Sequence, residues 1–274
     1  MHLKGKVTCI GRSDTGRVRE HNEDAIAFDG DIGLIVLADG MGGYNAGEVA
    51  SGLAVQTIVQ LVQEAVTRED LRIADAGTGM SRASIILRDA VLRANKIIHQ
   101  TARTQPHCEG MGTTVVGALF FDDRISVAHV GDSRAYRLRE AALERLTVDH
   151  SLMQELVDRG YFSAEEAQHA PSRNFVTRAL GVDSSVEVDI GEYAVRRGDV
   201  FMLCSDGLTD MLDDADIELA LNRCGADLGA AGDELVRQAN GMGGRDNISV
   251  VLAGAIKPFP ARAGLPERLK KLFS

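Results

Sequence analysis

Lysine is scarce in this chain, and its absence from the middle of the sequence limits the partners that the protein can have. Only six of the 30 basic residues are lysines, and none lies between Lys96 and Lys257. The 40 acidic residues bring the formal net charge to −10. A nucleic-acid-binding groove needs positive charge concentrated along the phosphate backbone. We therefore expect no nucleic-acid partner.

Signals for disulfide pairing, secretion and membrane insertion are also missing. The four cysteines are scattered without a Cys-x-x-Cys pair, which predicts free, mostly buried thiols in a reducing compartment. No apolar segment follows the first six residues to form a signal peptide. No stretch has the length expected of a membrane span. These absences predict a soluble, cytoplasmic, monomeric protein without stable membrane insertion.

The most informative feature that is present is a set of aspartates beside glycine at the ends of apolar runs. Apolar runs of this length are typical of buried strands, so the carboxylates are expected at strand ends, where a scaffold holds them rigidly. Four such acids predict a site for hard divalent cations, which prefer oxygen ligands. The runs 34–38, 201–205 and 125–130 end on Asp39-Gly40, Asp206-Gly207 and Gly131-Asp132, and Asp246 precedes the run 248–252.

The order of the predicted elements favours antiparallel sheets with helices packed outside them. Predicted strands occur in runs with hairpin-like neighbours, and the helical patterns come in pairs between them, unlike alternating βαβ units. The segment 149–181 has a different character, with short helices at 150–159 and 164–169 and an irregular stretch at 171–174. The strands are expected at 4–13, 113–121, 125–130, 135–138, 186–195, 199–204 and 247–255, and the longer helices at 48–65, 83–101, 215–222 and 230–241.

Eight short blocks around these acids occur in the order found in one family. Together they resemble the metal-dependent protein phosphatases of the type 2C (PPM) family, in the bacterial form, from about residue 7 to residue 255. Any one block is a weak signal, but eight in order are specific. The blocks are VREHNED (18–24), ADGMGG (38–43), GTT (112–114), VGDSR (130–134), TVDHS (147–151), TRALG (177–181), SDG (205–207) and GRDN (244–247).

The resemblance implies an α+β fold, a four-layer α-β-β-α sandwich of two antiparallel sheets flanked by helices, with a small helical flap. The catalytic domain would cover residues 1–256, with the flap at about 149–181. The basic tail, residues 257–274, lies outside the resemblance. The implied activity is hydrolysis of phosphoserine and phosphothreonine in proteins with Mn²⁺ or Mg²⁺, reversing serine/threonine kinase signalling. The implied partners are a cognate kinase and its substrates, including phosphothreonine-binding proteins.

The resemblance also assigns the metal ligands, residue by residue. Asp39 would bridge two core metal ions and the carbonyl of Gly40 would bind one of them. Asp206 and Asp246 would hold the other ion. Asp24 would act through metal-bound water.

Two further positions complete the implied site, and a third departs from the pattern of animal members. Asp132 matches the residue that supports a weaker third metal ion together with Asp206, and Arg19 matches the arginine that binds substrate phosphate. Animal members have a histidine after the Asp-Gly pair, whereas this chain has Met41, which cannot donate a proton. The general acid is therefore unassigned, and a water on the third metal is the hypothesis for that role.

Simpler interpretations of some residues stay open from the sequence. Asp132 could cap a turn, and Arg19 could pair with Glu23 or Asp24 at the surface, where such pairs contribute little. His150 is expected to fix the start of the flap helix rather than to act as a base. The lone histidines His21, His129 and His169 show no metal-ligand spacing and are expected to be structural or exposed.

Three other functions compete with an active protein phosphatase. A binding-only relative would shelter phosphoproteins, although all the expected acids are present. A regulator in a partner-switching cascade would usually carry a sensor domain, for which the sequence has no signal. A small-molecule phosphoesterase would use the same metal centre, since that centre does not specify the leaving group.

Overall fold

The computed structural model of the protein describes residues 3–43, 46–163, 166 and 175–257. Eleven strands and six α-helices are described below under labels in chain order within these residues. They are β1 (Val7–Asp14), β2 (Asp24–Asp29), β3 (Leu34–Met41), α1 (Ala46–Arg68), α2 (Arg82–Thr104), β4 (Gly112–Thr113), β5 (Val115–Phe121), β6 (Arg124–Val130), β7 (Arg134–Arg139), β8 (Ala142–Arg145), α3 (Leu152–Asp158), β9 (Asp189–Ala194), β10 (Val200–Cys204), α4 (Asp206–Thr209), α5 (Asp214–Cys224), α6 (Leu228–Gly241) and β11 (Ile248–Ala255).

The strands form two antiparallel sheets that pack face to face. One sheet has the order β1-β11-β10-β7-β8, and the other has the order β2-β3-β5-β6-β9 with β4 beside β3. β3 has a continuous apolar run because its alternate residues pack on opposite faces of the sheet, and both faces are covered. Ile35 and Leu37 face the other sheet, whereas Val36 packs with the helices on the opposite face. Phe120 and Phe201 meet edge to face between the sheets, with ring centroids 5.4 Å apart.

Helices cover both outer faces, so the core has three apolar layers. α1 and α2 pack on the sheet that contains β3, through residues such as Ile58 and Leu87. α5 and α6 pack on the other sheet, through residues such as Ile217 and Leu235. Each helix presents one apolar stripe to a sheet, as an amphipathic helix does. The predicted α-β-β-α sandwich is confirmed.

Helix α1 corrects the expectation that no stretch is long enough to span a membrane. By length and composition alone, Ala46–Arg68 is long and apolar enough to cross a bilayer. In the structure its buried side chains, among them Ile58 and Val62, belong to the core beneath the β3 sheet. Packing inside the protein therefore accounts for part of the apolar character of α1, since 33% of its most apolar 18-residue window is buried.

The predicted helices at 48–65, 83–101, 215–222 and 230–241 correspond to α1, α2, α5 and α6. The sequence pattern does not predict β2 and β8, which are short and only partly buried. Within the segment 149–181, α3 lies in the predicted first helix. The predicted helix at 164–169, apart from Glu166, lies outside the described residues, as do the stretch 171–174, His169 and the tail beyond Lys257.

The cysteines are free, as the sequence predicts, but they are less uniformly buried than expected. Cys108 and Cys204 are buried, whereas Cys9 and Cys224 are half-buried. Cys9 and Cys204 lie in apolar strands that pack into the core. Burial raises the pKa of both thiols to about 12, so neither is a reactive thiolate near neutral pH.

Candidate metal centre

Asp24 and Asp39 lie directly opposite each other on neighbouring strands. They are register partners at the start of β2 and near the end of β3. Asp39 is inside its strand rather than at the strand end that the sequence predicts, because Gly40 and Met41 continue β3 by pairing with β4. The β2–β3 pairing thus brings two carboxylates of the predicted site together.

Gly40 is required by a close approach of the first turn of α1. A Cβ atom at this position would lie 2.1 Å from the carbonyl oxygen of Gly47 and 2.7 Å from that of Glu23. The Gly40 N–H also donates to the Glu23 carbonyl at 3.1 Å. The glycine after Asp39 therefore lets the backbones of β3, the first turn of α1 and the residue before β2 meet beside the carboxylates.

Gly207 has the same role beside Asp206. Asp206 begins α4 directly after β10, and a Cβ atom on Gly207 would lie 2.0 Å from the carbonyl oxygen of Asn247. This contact brings the backbone after Asp246 against the start of α4. The two Asp-Gly pairs of the sequence thus mark two places where backbones touch at the site.

Asn247 fastens the loop that carries Asp246, a role that the sequence analysis did not assign. Its side-chain oxygen accepts from the Glu23 N–H at 2.8 Å. Its amide nitrogen donates to the carbonyl oxygens of Thr15 and His21 at 3.0 and 2.9 Å. These bonds join the β1–β2 loop to the loop that precedes β11. The match to the block GRDN was the one sequence signal for this residue.

Asp132 is buried in the turn between β6 and β7, and hydroxyl groups connect its neighbour Ser133 to the backbone of Asp39. The Asp39 N–H donates to Thr114 Oγ1 at 3.1 Å, and Thr114 Oγ1 lies 2.7 Å from Ser133 Oγ. Gly131 precedes Asp132 at φ 110°, and a Cβ atom there would lie 2.6 Å from Thr114 Cβ. The turn is therefore fitted closely against the strand that supports Asp39.

The five acids are close enough to alter one another's proton affinity. Burial, together with the charges of the other four acids, raises the pKa of Asp39 well above its usual value. The pKa of Asp206 is raised in the same way, with the charge of Asp132 as the largest contribution after burial. Burial is also the main reason that the pKa values of Asp24 and Asp132 rise to about 6. The carboxylates therefore form one cluster that repels its own negative charge.

Arg19 reaches this cluster from the β1–β2 loop. Its Nη2 donates to Asp246 Oδ2 at 2.7 Å. The sequence left open a surface pair with Glu23 or Asp24, but the observed ion-pair partner of Arg19 is Asp246. The other oxygen of Asp246 accepts from the Asn247 N–H at 2.8 Å. Arg19 thus lies at the edge of the carboxylate cluster, and one of its N–H groups donates to that cluster.

The chemistry of the cluster fits hard divalent cations. Carboxylate oxygens are the ligands that such ions prefer, and bound positive charge would relieve the repulsion that raises the pKa values. Asp24 Oδ2 accepts from Ser205 Oγ at 2.9 Å. Asp24 Oδ1 is buried, and no donor among the described residues bonds to it. An unpaired buried carboxylate oxygen is costly, and a metal-coordinated water would satisfy it.

A second cluster, which the sequence did not predict, lies between the Asp132 turn and the predicted flap. The possible ligand atoms of His129, His150 and Asp189 lie within 4.8 Å of one another. His150 Nδ1 accepts from the Gly131 N–H at 3.0 Å, and His150 Nε2 lies 3.1 Å from Arg178 Nη1 and 3.4 Å from Asp189 Oδ2. Arg178 donates to Asp189 Oδ1 at 2.8 Å. We interpret this cluster as a hydrogen-bonded support rather than a metal site.

The charges around Asp149 form a further support that the sequence analysis missed. Arg134 Nη2 donates to Asp149 Oδ2 at 2.8 Å, and Arg145 also pairs with Asp149. The Tyr136 hydroxyl donates to Asp214 at 2.9 Å and lies 3.3 Å from Arg134. This network begins at Arg134, at the end of the turn that contains Asp132, and it holds Asp149, the residue that precedes His150.

Comparison with known proteins agrees with this geometry. The family model for protein phosphatase 2C matches residues 12–242. The serine/threonine phosphatase stp of Listeria monocytogenes is 37% identical over 247 residues, which cover 88% of this chain and 93% of that protein. The crystal structure of the Mycobacterium tuberculosis serine/threonine phosphatase PstP/Ppp superimposes with a TM-score of 0.82 at 36% identity, over 92% of this chain and 99% of that one. A structure of the catalytic domain of PstP in complex with two manganese ions gives a TM-score of 0.79 at 35% identity, over 92% and 99% of the two chains. The chain belongs to the protein phosphatase 2C family.

Proposed function

We propose that the protein is a serine/threonine phosphatase that hydrolyses phosphoserine and phosphothreonine in proteins with two core Mn²⁺ or Mg²⁺ ions. The observation that carries the proposal is the convergence of five aspartates and Arg19 at one end of the two sheets. The relatives named above are serine/threonine phosphatases, and one related catalytic domain holds two manganese ions. Both facts support the same chemistry here.

The aspartates have separate proposed roles. Asp39 would bridge the two ions, with the Gly40 carbonyl on one of them, and Asp206 and Asp246 would hold the other. Asp24 would bind through water, using the buried oxygen that lacks a donor. When bound, divalent ions supply positive charge that stabilises phosphate oxygens and lowers the pKa of a coordinated water.

Asp132 is proposed to support a weaker third ion together with Asp206. Burial and the nearby charge of Asp149 raise the pKa of Asp132 to about 6. A carboxylate with this pKa loses its proton readily near neutral pH, and it then favours a neighbouring cation. The Asp132 charge contributes to the raised pKa of Asp206, so the two carboxylates lie close enough to act on one cation.

Arg19 is proposed to bind the substrate phosphate. Its bond to Asp246 uses Nη2, and its side chain is about half exposed. The guanidinium donors outside that bond suit a bidentate contact with two phosphate oxygens. Arg19 would thus orient the phosphate over the carboxylate cluster while remaining anchored to Asp246.

The organisation of the chain and its setting are part of the proposal. Residues 1–256 would form the catalytic domain, with the flap at 149–181 beside the active site, and residues 257–274 would be a basic appendage. A cognate serine/threonine kinase and its phosphorylated substrates, including phosphothreonine-binding proteins, would be the partners. The protein would act in signalling, as a monomer in the cytoplasm.

The test is release of phosphate from a phosphothreonine peptide by the full chain. Release is expected with Mn²⁺ or Mg²⁺, to be lost with chelator, and to be lost in Asp39→Asn. Asp31→Asn is the matched control, because Asp31 is an exposed turn residue between β2 and β3. Equal release with and without chelator would contradict the metal-dependent mechanism. Binding of the phosphopeptide without release by folded, metal-loaded protein would favour a sheltering role.

A further inference from the structure

Two loops beside Arg19 are locked together at the rim of the carboxylate cluster. The Arg17 N–H donates to the Gly244 carbonyl at 2.7 Å. Asn247 bonds to the carbonyl oxygens of Thr15 and His21, on either side of Arg17. The β1–β2 loop and the loop before β11 therefore behave as one rigid edge, although they are more than 220 residues apart in sequence.

Glycines on both loops make this contact possible. Gly16 has φ 82°, and a Cβ atom there would lie 2.2 Å from the carbonyl oxygen of Asp246. Gly244 has φ 51°, and a Cβ atom there would lie 2.9 Å from Cγ of Arg17. Other residues rarely adopt these conformations and would also clash. The backbones that carry Arg17 and Arg245 are thus held beside Asp246.

Two positive charges on this edge, those of Arg17 and Arg245, are used neither by the proposed metal site nor by the proposed phosphate binding. Arg17, Arg19 and Arg245, which we call the arginine rim, are exposed. Arg19 pairs with Asp246, whereas no ion pair joins Arg17 or Arg245 to an acid among the described residues. Glu20 is the exposed acid next to Arg19, and Glu23 also lies within electrostatic reach of Arg19. Within the described part of the chain, the charges of Arg17 and Arg245 are the ones without an ion-pair partner. Arg12, on β1, differs from Arg17 and Arg245 because it pairs with Asp233.

Apolar side chains on the same two loops add contact area. Val18 is 66% exposed and Met242 is 65% exposed. Val18 lies between Arg17 and Arg19, and Met242 lies three residues before Arg245. A peptide bound with its phosphate on Arg19 would therefore meet both positive and apolar side chains beside the phosphorylated residue.

We propose that the arginine rim selects phosphopeptides with acidic residues next to the phosphorylated serine or threonine. This inference rests on the proposed phosphatase function and specifies its substrate class. The chain as a whole carries a net charge of −10, and the carboxylate cluster adds local negative charge. An acidic peptide would be repelled by such a surface unless positive groups stood where its side chains land. Arg17 and Arg245 are placed to provide that attraction.

The experiment compares two phosphothreonine peptides that differ only in their neighbouring residues, glutamates in one and lysines in the other. Values of kcat/KM are measured for the wild type, Arg17→Glu and Arg245→Glu, each divided by the same protein's kcat/KM for p-nitrophenyl phosphate, which has no flanking residues. Arg197→Glu is the matched control, because Arg197 is exposed near the opposite end of β11.

We expect the wild type to prefer the glutamate peptide. Each rim variant should lower that preference about twofold to fivefold, the range for exposed ion pairs, while Arg197→Glu retains it.

The outcomes separate this inference from the proposed function. A preference that weakens at about 1 M NaCl supports the rim, because salt screens exposed charges. Equal values for the two peptides in a wild type that hydrolyses p-nitrophenyl phosphate overturn the inference and leave the phosphatase activity intact. An undiminished preference in both rim variants also overturns it. Failure of the wild type on all three substrates would instead contradict the proposed function.

Discussion

His150 and Gly131 exchange two hydrogen bonds. The Gly131 N–H donates to His150 Nδ1 at 3.0 Å, and the His150 N–H donates to the Gly131 carbonyl at 2.9 Å. The carbonyl of His150 in turn accepts from the Thr177 N–H at 2.8 Å. Gly131 precedes Asp132, and Thr177 lies in the proposed flap. His150 therefore joins the turn that carries a candidate metal ligand to the segment expected to cover the site.

Replacement of His150 should separate this hydrogen bond from simple packing. In His150→Leu the buried Gly131 N–H loses its acceptor, which costs about 1–3 kcal/mol of unfolding free energy. His150→Asn keeps an acceptor oxygen near the position of Nδ1. Like leucine, it loses the stacking on His129, whose ring centroid is 4.5 Å away, and the contacts of Nε2 with Asp189 and Arg178. We expect the leucine variant to have the lower Tm and the lower kcat/KM on a phosphopeptide. Equal loss in the two variants would show that ring packing, not the hydrogen bond, is what matters.

Arg19→Lys should weaken substrate phosphate binding while keeping the positive charge. A lysine can still pair with Asp246, but it lacks the planar fork that binds two phosphate oxygens. Loss of one charge-assisted hydrogen bond of about 1.5–3 kcal/mol corresponds to a drop in kcat/KM of about 10-fold to 100-fold.

The matched control for Arg19→Lys is Arg12→Lys, since Arg12 forms an exposed ion pair with Asp233. Exposed pairs contribute little, so this variant should keep the wild-type kcat/KM on a phosphopeptide. Similar losses in the two variants would assign the effect to stability rather than to phosphate binding. The Tm of each variant, measured alongside, distinguishes these cases.

Gly207→Ala should destabilise the fold at the contact between α4 and Asn247. The added Cβ would lie 2.0 Å from a backbone oxygen, so one backbone has to move. Overpacking of this kind costs about 1–3 kcal/mol, and the shift would displace the neighbouring Asp206 or Asp246. Both the Tm and the phosphatase activity should fall.

Gly52→Ala gives the opposite expectation and serves as the control for Gly207→Ala. Gly52 lies inside α1 with no atom within 4 Å of an added Cβ. Alanine in a helix interior is favoured over glycine by about 0.5–1 kcal/mol, so the Tm should rise slightly and the activity should be kept. A Gly207→Ala variant as stable as the wild type would disprove the steric reading of the Asp-Gly pair.

Local signals in the sequence predicted antiparallel sheets with outer helices and the carboxylates, whereas the four-layer arrangement was implied by the family resemblance. The continuous apolar run of β3 reflects a strand buried on both faces, and the glycine after Asp39 reflects a backbone contact. β2 and β8 escaped prediction because they are short and only partly buried, so their apolar pattern is weak. Asp39 was expected at a strand end, since the two-residue strand that extends β3 has no sequence pattern of its own.

The supports of the site could not be predicted, since they join residues that are distant in sequence. His129 meets Asp189 because the two are register partners in the β6–β9 pairing, and His150 reaches them from the crossover after β8. Arg19 meets Asp246 across 227 positions. No spacing rule connects such residues, whereas the antiparallel topology fixes them side by side.

Asp39→Asn should stabilise the chelated protein at neutral pH while removing activity. Because the folded-state pKa of Asp39 is raised, the folded state holds more protons than the unfolded state between about pH 4 and the folded pKa. The unfolding free energy of the chelated wild type therefore falls as the pH rises through this window, and the full loss is present above it. Asparagine does not ionise, so it escapes this loss. We expect the Tm of Asp39→Asn, relative to that of the wild type in chelator, to increase from pH 4 to pH 7, by about 2–4 °C for each kcal/mol gained.

With Mn²⁺ present the wild type should recover its stability and the variant should not. A Tm difference that is independent of pH would contradict the repulsion among the carboxylates, whereas equal protection of both proteins by Mn²⁺ would remove Asp39 from the metal site.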